Sequence, residues 1–228
     1  MIVFFDIGST LIDGPPFGPA RRLSDLLELG KEAVKELERI LFRSPASDPE
    51  QLANTIVNRL RVDYNKALEA CTTLWNAQLE EAYVLPGARE LIEKLKSAGI
   101  PRAYLSNIWP PFYEHFKQEF AEEAESQPQF LSFETGLMKP DPAFFQLALR
   151  AVEARAEDAV MVGDTYKNDI RPAIELGMRT VWVLHRLEKE KADLIDVMNG
   201  DAPPPDLTLA SIGELEPSRI LSSAHYQV

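Results

Sequence analysis

The chain has 228 residues, of which 45% are apolar and 26% charged, a normal balance for a globular protein. Its formal net charge of −12 argues against nucleic acid or an anionic membrane surface as a partner, although a metal ion in a cleft can still attract an anionic substrate. The single cysteine, Cys71, excludes an intrachain disulfide and no apolar run reaches the ~20 residues that span a bilayer, so we expect a cytoplasmic protein.

An apolar run near the N-terminus leads directly into a carboxylate. Val3-Phe4-Phe5 precedes Asp6, and the turn-forming residues Gly8-Ser9-Thr10 follow. A short apolar run bounded by turn residues is typical of a strand that is buried on both faces of a parallel sheet. Asp6 would then lie at the carboxyl end of this strand, where open α/β sheets bind their ligands. Because burying a lone carboxylate is costly, we expect Asp6 to meet a partner there.

Residues 14–84 have a different pattern. The breaker cluster Asp13–Pro19 leads out of the first strand, and from about residue 20 to residue 83 apolar side chains recur at helical spacing. Asp48 and Pro49 interrupt this run as an N-cap and a first helical residue. We predict three or four helices and no strand in this segment.

Strands and helices alternate from Leu85 onward. The predicted strands are Arg102–Leu105, Gln129–Phe133, Ala159–Val162, Thr180–Leu184 and Asp206–Leu209. The predicted helices are Ala88–Ser97, Pro111–Phe120, Ala143–Val152, Asp169–Leu176 and one from Ser211. Such alternation with short connections indicates a parallel sheet covered by helices. The sequence therefore predicts an α/β fold, in which residues 1–13 and 85–228 form a doubly wound parallel sheet and residues 14–84 an inserted all-helical domain.

Polar residues follow three of the predicted strands. Asp6, Ser106-Asn107 and Asp164 come at strand ends, which share one edge of a parallel sheet. Asp169 begins the next helix, and Lys139 precedes another helix over the same edge. Two carboxylates ~4 Å apart repel by about 4 kcal/mol at an effective dielectric of 20, so this cluster needs a cation.

The chemistry of the cluster is that of phosphoryl transfer. Oxygen ligands suit Mg²⁺, which takes a few carboxylates together with waters and a substrate phosphate. Lys139 and the Ser106 hydroxyl would contact the remaining phosphate oxygens. Asp6 would attack phosphorus and form an aspartyl-phosphate. We therefore predict Mg²⁺-dependent hydrolysis of a small phosphorylated metabolite, with Asp6 and Lys139 as the catalytic residues.

Four motifs, in order along the whole chain, resemble those of the haloacid dehalogenase superfamily. The superfamily carries Asp-x-Asp-x-Thr after an apolar strand, then a Ser or Thr after a second strand, then a Lys-Pro-Asp-Pro run and finally Gly-Asp with a further Asp. The similar stretches here are Phe4–Thr10, Tyr104–Asn107, Lys139–Pro142 and Gly163-Asp164 with Asp169. Each motif alone is weak, but four in this order are specific.

The resemblance implies a Mg²⁺-dependent phosphohydrolase in which residues 14–84 are a helical cap that selects the substrate. It implies substrate contacts from Ser106, Asn107 and Lys139. The metal ligands that it implies are Asp6, Asp164, Asp169 and the backbone carbonyl of Gly8.

Gly8 departs from the pattern, because most phosphatases of the superfamily carry a general acid/base Asp there. Proton transfer of this kind is typically worth 10²–10⁴-fold in rate, or roughly 3–5 kcal/mol. One alternative is therefore a weak relative that binds a phosphorylated ligand or partner protein and hydrolyses it poorly. Asp13 is either a hinge residue or a replacement for the missing acid.

Two further alternatives are cleavage of a carbon–phosphorus or a carbon–halogen bond. The first would need a cap lysine, for which Lys31, Lys35 and Lys66 are available. The second needs no metal, and the Gly163-Asp164 motif argues against it.

The other chemistry-bearing side chains receive structural interpretations. We predict His115, His185 and His225 on the surface and Cys71, Trp75 and Tyr83 in the core of the cap. Trp109 is a candidate for lining the substrate pocket. The sequence names neither the substrate nor the oligomeric state.

Overall fold

The strands of the computed structural model, which describes residues 1–221, form two sheets. A six-stranded parallel sheet has the order β5-β4-β1-β6-β7-β8, and β2 and β3 form a separate antiparallel ribbon. The strands are β1 (Ile2–Phe5), β2 (Ile12–Asp13), β3 (Tyr83–Val84), β4 (Arg102–Ser106), β5 (Gln129–Leu131), β6 (Ala159–Gly163), β7 (Arg179–Val183) and β8 (Leu207–Leu209).

The helices fall into two groups along the chain. Those between β2 and β3 are α1 (Pro19–Leu26), α2 (Val34–Arg43), α3 (Pro49–Leu60) and α4 (Tyr64–Glu81). Those after β3 are α5 (Ala88–Ser97), α6 (Pro110–Glu119), α7 (Ala121–Ser126), α8 (Ser132–Thr135), α9 (Pro142–Ala151), α10 (Arg171–Glu175), α11 (Leu187–Asn199) and α12 (Pro217–Leu221). A π-helical turn, Tyr166–Ile170, leads into α10.

Strand β1 is buried on both faces, as its unbroken apolar run predicts. Val3 and Phe5 pack in one core with residues of α5 and α6. Phe4 points to the other face and packs with Phe144 and Phe145 of α9. Helices therefore cover both faces of a parallel sheet, which confirms the predicted doubly wound α/β fold.

Helices α1 to α4 have a core of their own. Their apolar faces meet in one cluster that includes Leu37, Ile56 and the buried Cys71. Asp48 caps α3 as predicted, because its carboxylate accepts a hydrogen bond from the Gln51 amide at 2.9 Å.

The prediction of no strand between residues 20 and 83 is wrong at its end. Tyr83–Val84 forms β3, in which Val84 pairs with Ile12 and Tyr83 with Asp13. Two-residue strands are too short to show alternation of apolar and polar residues in the sequence.

Two residues predicted in the core of the cap are not fully buried. Tyr83 is exposed, and Trp75 is only partly buried.

His115 is buried in α6, so the prediction that it lies on the surface is wrong. Burial and, next, the nearby Arg89 lower the pKa of His115, which keeps its ring neutral. His185 is accessible, as predicted, whereas His225 lies outside the described residues.

Three other elements differ from the prediction. The strand expected over Gln129–Phe133 stops at Leu131, where α8 begins. The helix expected from Asp169 starts earlier, with the π-helical turn, so Asp169 lies inside that turn rather than at a cap. Helix α11 was not predicted at all.

Over residues 1–221, no helix has both the length and the apolar character needed to cross a bilayer.

Candidate active site

Asp6 lies at the carboxyl end of β1 and meets two partners there. Its backbone amide continues the sheet by donating to the Val162 carbonyl at 2.9 Å. Its Oδ1 accepts a hydrogen bond from the Ser106 hydroxyl at 2.7 Å and lies 2.8 Å from Nζ of Lys139. The neighbouring strand and a loop thus supply the partners that a buried carboxylate needs.

Lys139 is buried, with 3% of its surface exposed, between two carboxylates. Its Nζ lies 2.8 Å from Asp6 and 2.5 Å from Asp169. Burial opposes its charge, but Asp169 and Asp6 outweigh burial and raise the pKa of Lys139, so the side chain stays protonated. Asn107 fixes its backbone, because Oδ1 of Asn107 accepts from the Lys139 amide and Nδ2 donates to its carbonyl, both at 2.8 Å.

Asp6, Asp164 and Asp169 bring one carboxylate oxygen each to within 4.8 Å of one another. All three are buried. Burial raises the pKa of Asp164 to about 6. The charge of Arg186 opposes this shift, and the charge of Asp6 adds to it. Burial and the charges of Asp6 and Asp164 outweigh Lys139 and raise the pKa of Asp169 to about 7.

Such a donor set fits a hard divalent cation. It consists of oxygen ligands only, and the three carboxylates face two protein cations, Lys139 and Arg186. Close, buried carboxylates of raised pKa gain most from a cation that restores their charge. Asp6, Asp164 and Asp169 could therefore hold a metal ion.

Gly163 permits this close approach. A Cβ at position 163 would lie 2.5 Å from Cβ of Asp169, which no side chain could tolerate. Asp169 also accepts a hydrogen bond from the Thr165 amide at 2.9 Å, and this bond closes the turn after β6. The Gly-Asp motif is thus required for packing as well as for charge.

The loop after Asp6 folds back on itself. The Ile7 carbonyl accepts from the amides of Leu11 and Ile12 at 2.9 and 3.1 Å, and Ser9 adopts a left-handed φ of 57°. Gly8 and Ile12 are bridged as a result. Asp13, the residue after Ile12, therefore lies close to Gly8 in space.

Two site residues were missed by the sequence reasoning. Arg186 donates from Nε and Nη2 to Oδ2 of Asp164 at 2.9 and 2.5 Å. Nε2 of His185 lies 2.8 Å from Oδ2 of Asp13. Both residues follow the carboxyl end of β7, so the rule that located Asp6 and Asp164 could have found them.

Asp6, Lys139, Asp164, Asp169 and Arg186 line a cavity of about 510 Å³. We call Asp6, Ser106, Lys139, Asp164 and Asp169 the floor of this site. The wall consists of Glu38, Phe42, Gln78, Trp109 and Phe112, all of which line the cavity. Trp109 lines it as predicted, and its indole N–H donates to Gln78 at 3.3 Å.

Comparison with known proteins shows the family of the chain. The model of the haloacid dehalogenase-like hydrolases matches residues 1–177. The chain is 27% identical to a glyceraldehyde 3-phosphate phosphatase of Pyrococcus furiosus, over 79% of each chain. It is 29% identical to a ribulose-1,5-bisphosphate 5-phosphatase of Halopiger xanaduensis, over 78% of this chain and 82% of that one.

A solved structure shares the fold. CbbY from Rhodobacter sphaeroides, in complex with phosphate, superposes with a TM-score of 0.61 at 20% identity, over 96% of this chain and 99% of that chain. With the family match covering most of the sequence, the chain belongs to the haloacid dehalogenase-like hydrolases, as its four motifs predicted.

Proposed function

We propose that the chain is a phosphatase that hydrolyses a small phosphorylated metabolite through Asp6 and Mg²⁺. The observation that carries this proposal is the contact of Asp6 with Ser106 and Lys139 beside two further buried carboxylates. The names of the relatives, which are phosphatases of sugar phosphates and similar small molecules, support it.

Asp6 is the proposed nucleophile. Ser106 and Lys139 both contact its Oδ1 and so hold the carboxylate in one orientation. Oδ2 would attack phosphorus, the ester bond to the leaving alcohol would break, and an aspartyl-phosphate would form. Water would then attack phosphorus and return Asp6 to its free carboxylate.

Lys139 and Ser106 would contact the phosphate oxygens as well as Asp6. The buried ammonium of Lys139 would compensate charge on the transferring group, where it counts most because water is excluded. Asn107 would hold the backbone of Lys139 in place through its two hydrogen bonds. Its side chain would also contact the phosphate.

Asp6, Asp164, Asp169 and the backbone carbonyl of Gly8 would hold the Mg²⁺ ion. When bound, this ion supplies the positive charge that neutralises phosphate and carboxylate together. The fit rests on the all-oxygen cluster described above, in which burial raises the pKa values of Asp164 and Asp169.

The segment of residues 14–84 is proposed to be a cap that selects the substrate. Its helices contribute Glu38, Phe42 and Gln78 to the cavity, opposite the floor. A cytoplasmic enzyme with a small-molecule partner fits the net charge of −12 and the single cysteine.

A panel of phosphomonoesters, assayed with Mg²⁺ and with a chelator, tests this function. We expect metal-dependent release of phosphate from at least one ester, and we expect Asp6→Asn to abolish it while circular dichroism shows an unchanged fold. Retained turnover in Asp6→Asn would exclude covalent catalysis through this residue.

A second candidate, a weak relative that mainly binds a phosphorylated ligand, is favoured by Gly8 alone. Saturable binding of the esters without steady-state turnover would support that function instead.

A further inference from the structure

Hydrolysis of an alkyl phosphate needs a proton for the departing oxygen, and Gly8 has no side chain that could give one. Each carboxylate of the floor forms an ion pair with a lysine or an arginine. Asp6 and Asp169 contact Lys139, and Asp164 contacts Arg186. Among the described residues that line the cavity, Asp13 and Glu38 are the carboxylates that form no ion pair with a lysine or arginine.

Asp13 is held beside Gly8 by contacts to both of its oxygens. The Ser9 hydroxyl donates to Oδ1 at 3.0 Å, and Nε2 of His185 lies 2.8 Å from Oδ2. The bridge between Gly8 and Ile12 sets the path of the backbone just before Asp13. The Asp13 side chain is 15% exposed and lines the same cavity as Asp6, so it combines a fixed position with access to substrate.

Glu38 is less well placed. It belongs to α2 on the wall side of the cavity and is exposed. No hydrogen bond fixes its carboxylate within the described part of the chain. A group that transfers a proton must be held within reach of one atom, and of these two carboxylates only Asp13 is held.

We propose that Asp13 is the general acid and base of the reaction, an inference that rests on the proposed phosphatase function. In the first step, Asp6 forms a bond to phosphorus, the ester P–O bond breaks, and the Asp13 carboxyl gives its proton to the leaving oxygen. In the second step, Asp13 takes a proton from water as the water oxygen attacks phosphorus. The bond between phosphorus and Asp6 breaks, phosphate leaves, and Asp13 is protonated for the next turnover. Ser9 and His185 orient it.

The test compares a poor and a good leaving group at saturating Mg²⁺. Glycerol 3-phosphate needs the proton, whereas 4-nitrophenyl phosphate needs little help to leave. We expect Asp13→Asn to lower kcat/KM for the alkyl ester by about 10²-fold and that for the aryl ester by less than about 5-fold, as for loss of a general acid. We also expect a burst of nitrophenolate, because the aspartyl-phosphate then waits for its base. The matched control is Asp201→Asn, which changes an exposed aspartate that does not line the cavity and should leave the values for both esters unchanged.

A merely structural role for Asp13 would lower both esters equally, and that result would overturn the inference. So would a selective loss of alkyl-ester turnover in Glu38→Gln but not in Asp13→Asn. Should Asp13→Asn fail to fold, Asp13→Ala replaces it, and restoration of its alkyl-ester turnover by added formate would support the inference.

The proposed function fails differently. If the wild-type chain turns over no ester of the panel, both proposals are wrong. If Asp6→Asn is inactive while Asp13→Asn matches the wild type on both esters, only the role of Asp13 is excluded.

Discussion

The floor and the wall of the cavity are built in opposite ways. Floor residues such as Lys139 and Asp169 are buried and held by contacts of 2.5 to 2.9 Å. The wall presents mainly aromatic side chains, among them Phe42 and Phe112, and the nearby Phe17 at the cavity is 66% exposed. Charges fixed in space suit one reaction, whereas apolar surfaces on separate helices can be exchanged without touching that reaction. Under the proposed function, the chemistry would take place at the sheet edge and the helices would select the substrate.

The largest effect should follow from removing a floor charge. We expect Lys139→Ala to lower kcat about 10³-fold with every phosphate ester, because the loss leaves phosphate and two buried carboxylates without their ammonium. Steady-state kinetics across the panel measure this. Lys191→Ala, an exposed lysine of α11, is the matched control. A loss confined to some esters would mean that Lys139 acts in selection, as the wall does.

A smaller effect is expected at position 8, where floor and wall meet. A Cβ added at Gly8 would lie 3.4 Å from the Phe112 ring, so Gly8→Asp can be accommodated with a small shift of that ring. In the Asp13→Asn background we expect Gly8→Asp to restore alkyl-ester kcat/KM by up to about 10²-fold, since it returns a carboxyl to the leaving group. In the wild type the gain should stay below about 3-fold. A gain of about 10²-fold in the wild type would show that Asp13 does no proton transfer.

Changing the wall should alter binding alone. We expect Phe42→Ala to raise KM about 10-fold for the best ester of the panel and to leave kcat within about 2-fold, because the lost contact is apolar and Phe42 is not among the residues proposed to contact the phosphate. Acetyl phosphate, which has little to place against the wall, should be unaffected. An equal fall of kcat for all esters would break the division between floor and wall.

The smallest effect concerns stability and pH. The folded-state pKa values of about 6 for Asp164 and about 7 for Asp169 exceed the usual ~4, so the folded chain binds protons more tightly than the unfolded chain. That stabilisation is complete below pH ~4 and is lost as pH rises through 6 and 7. In the presence of a chelator, we expect Tm to rise when the pH is lowered from 8 to 6. The rise should be about 2–4 °C larger in the wild type than in Asp169→Asn, which corresponds to about 1 kcal/mol in the free energy of unfolding.

His115 has a lowered pKa and therefore makes the stability depend on pH in the opposite direction. Because both proteins contain His115, this contribution cancels when they are compared. Mg²⁺ should raise Tm at pH 8 by mass action and reverse the trend. An identical pH dependence in both proteins would mean that the pKa of Asp169 is not raised in the folded state.

Much of the floor could be predicted because each of its residues follows a local pattern. Asp6 and Asp164 end apolar strands, and parallel strand ends must share one edge. Lys139 was predicted from its motif, and the structure places it between two of the carboxylates. The residue type and the strand pattern together were sufficient.

The missed features depend on contacts between distant parts of the chain. Arg186 meets Asp164, and His185 meets Asp13, only once β7 lies beside β6 and the loop after β1 has folded back. Helix α11 escaped prediction because its buried residues include the acidic Glu190 and Asp193, so apolar periodicity does not mark its inner face. Glu190 is used there to accept a hydrogen bond from the Tyr166 amide at 2.7 Å.

The ribbon of β2 and β3 also bears on how the chain folds. Pairing of β1 with β4 must close a loop that contains all four helices of the insert. Those helices pack mainly against one another, and the ribbon sets Ile12 against Val84 at their base. The entropy cost of closing a loop grows with the length of the loop. If the ribbon forms first, only the segment that contains α5 remains as a loop when β4 pairs with β1. The insert thus acts as a local fold that shortens the search for the central sheet.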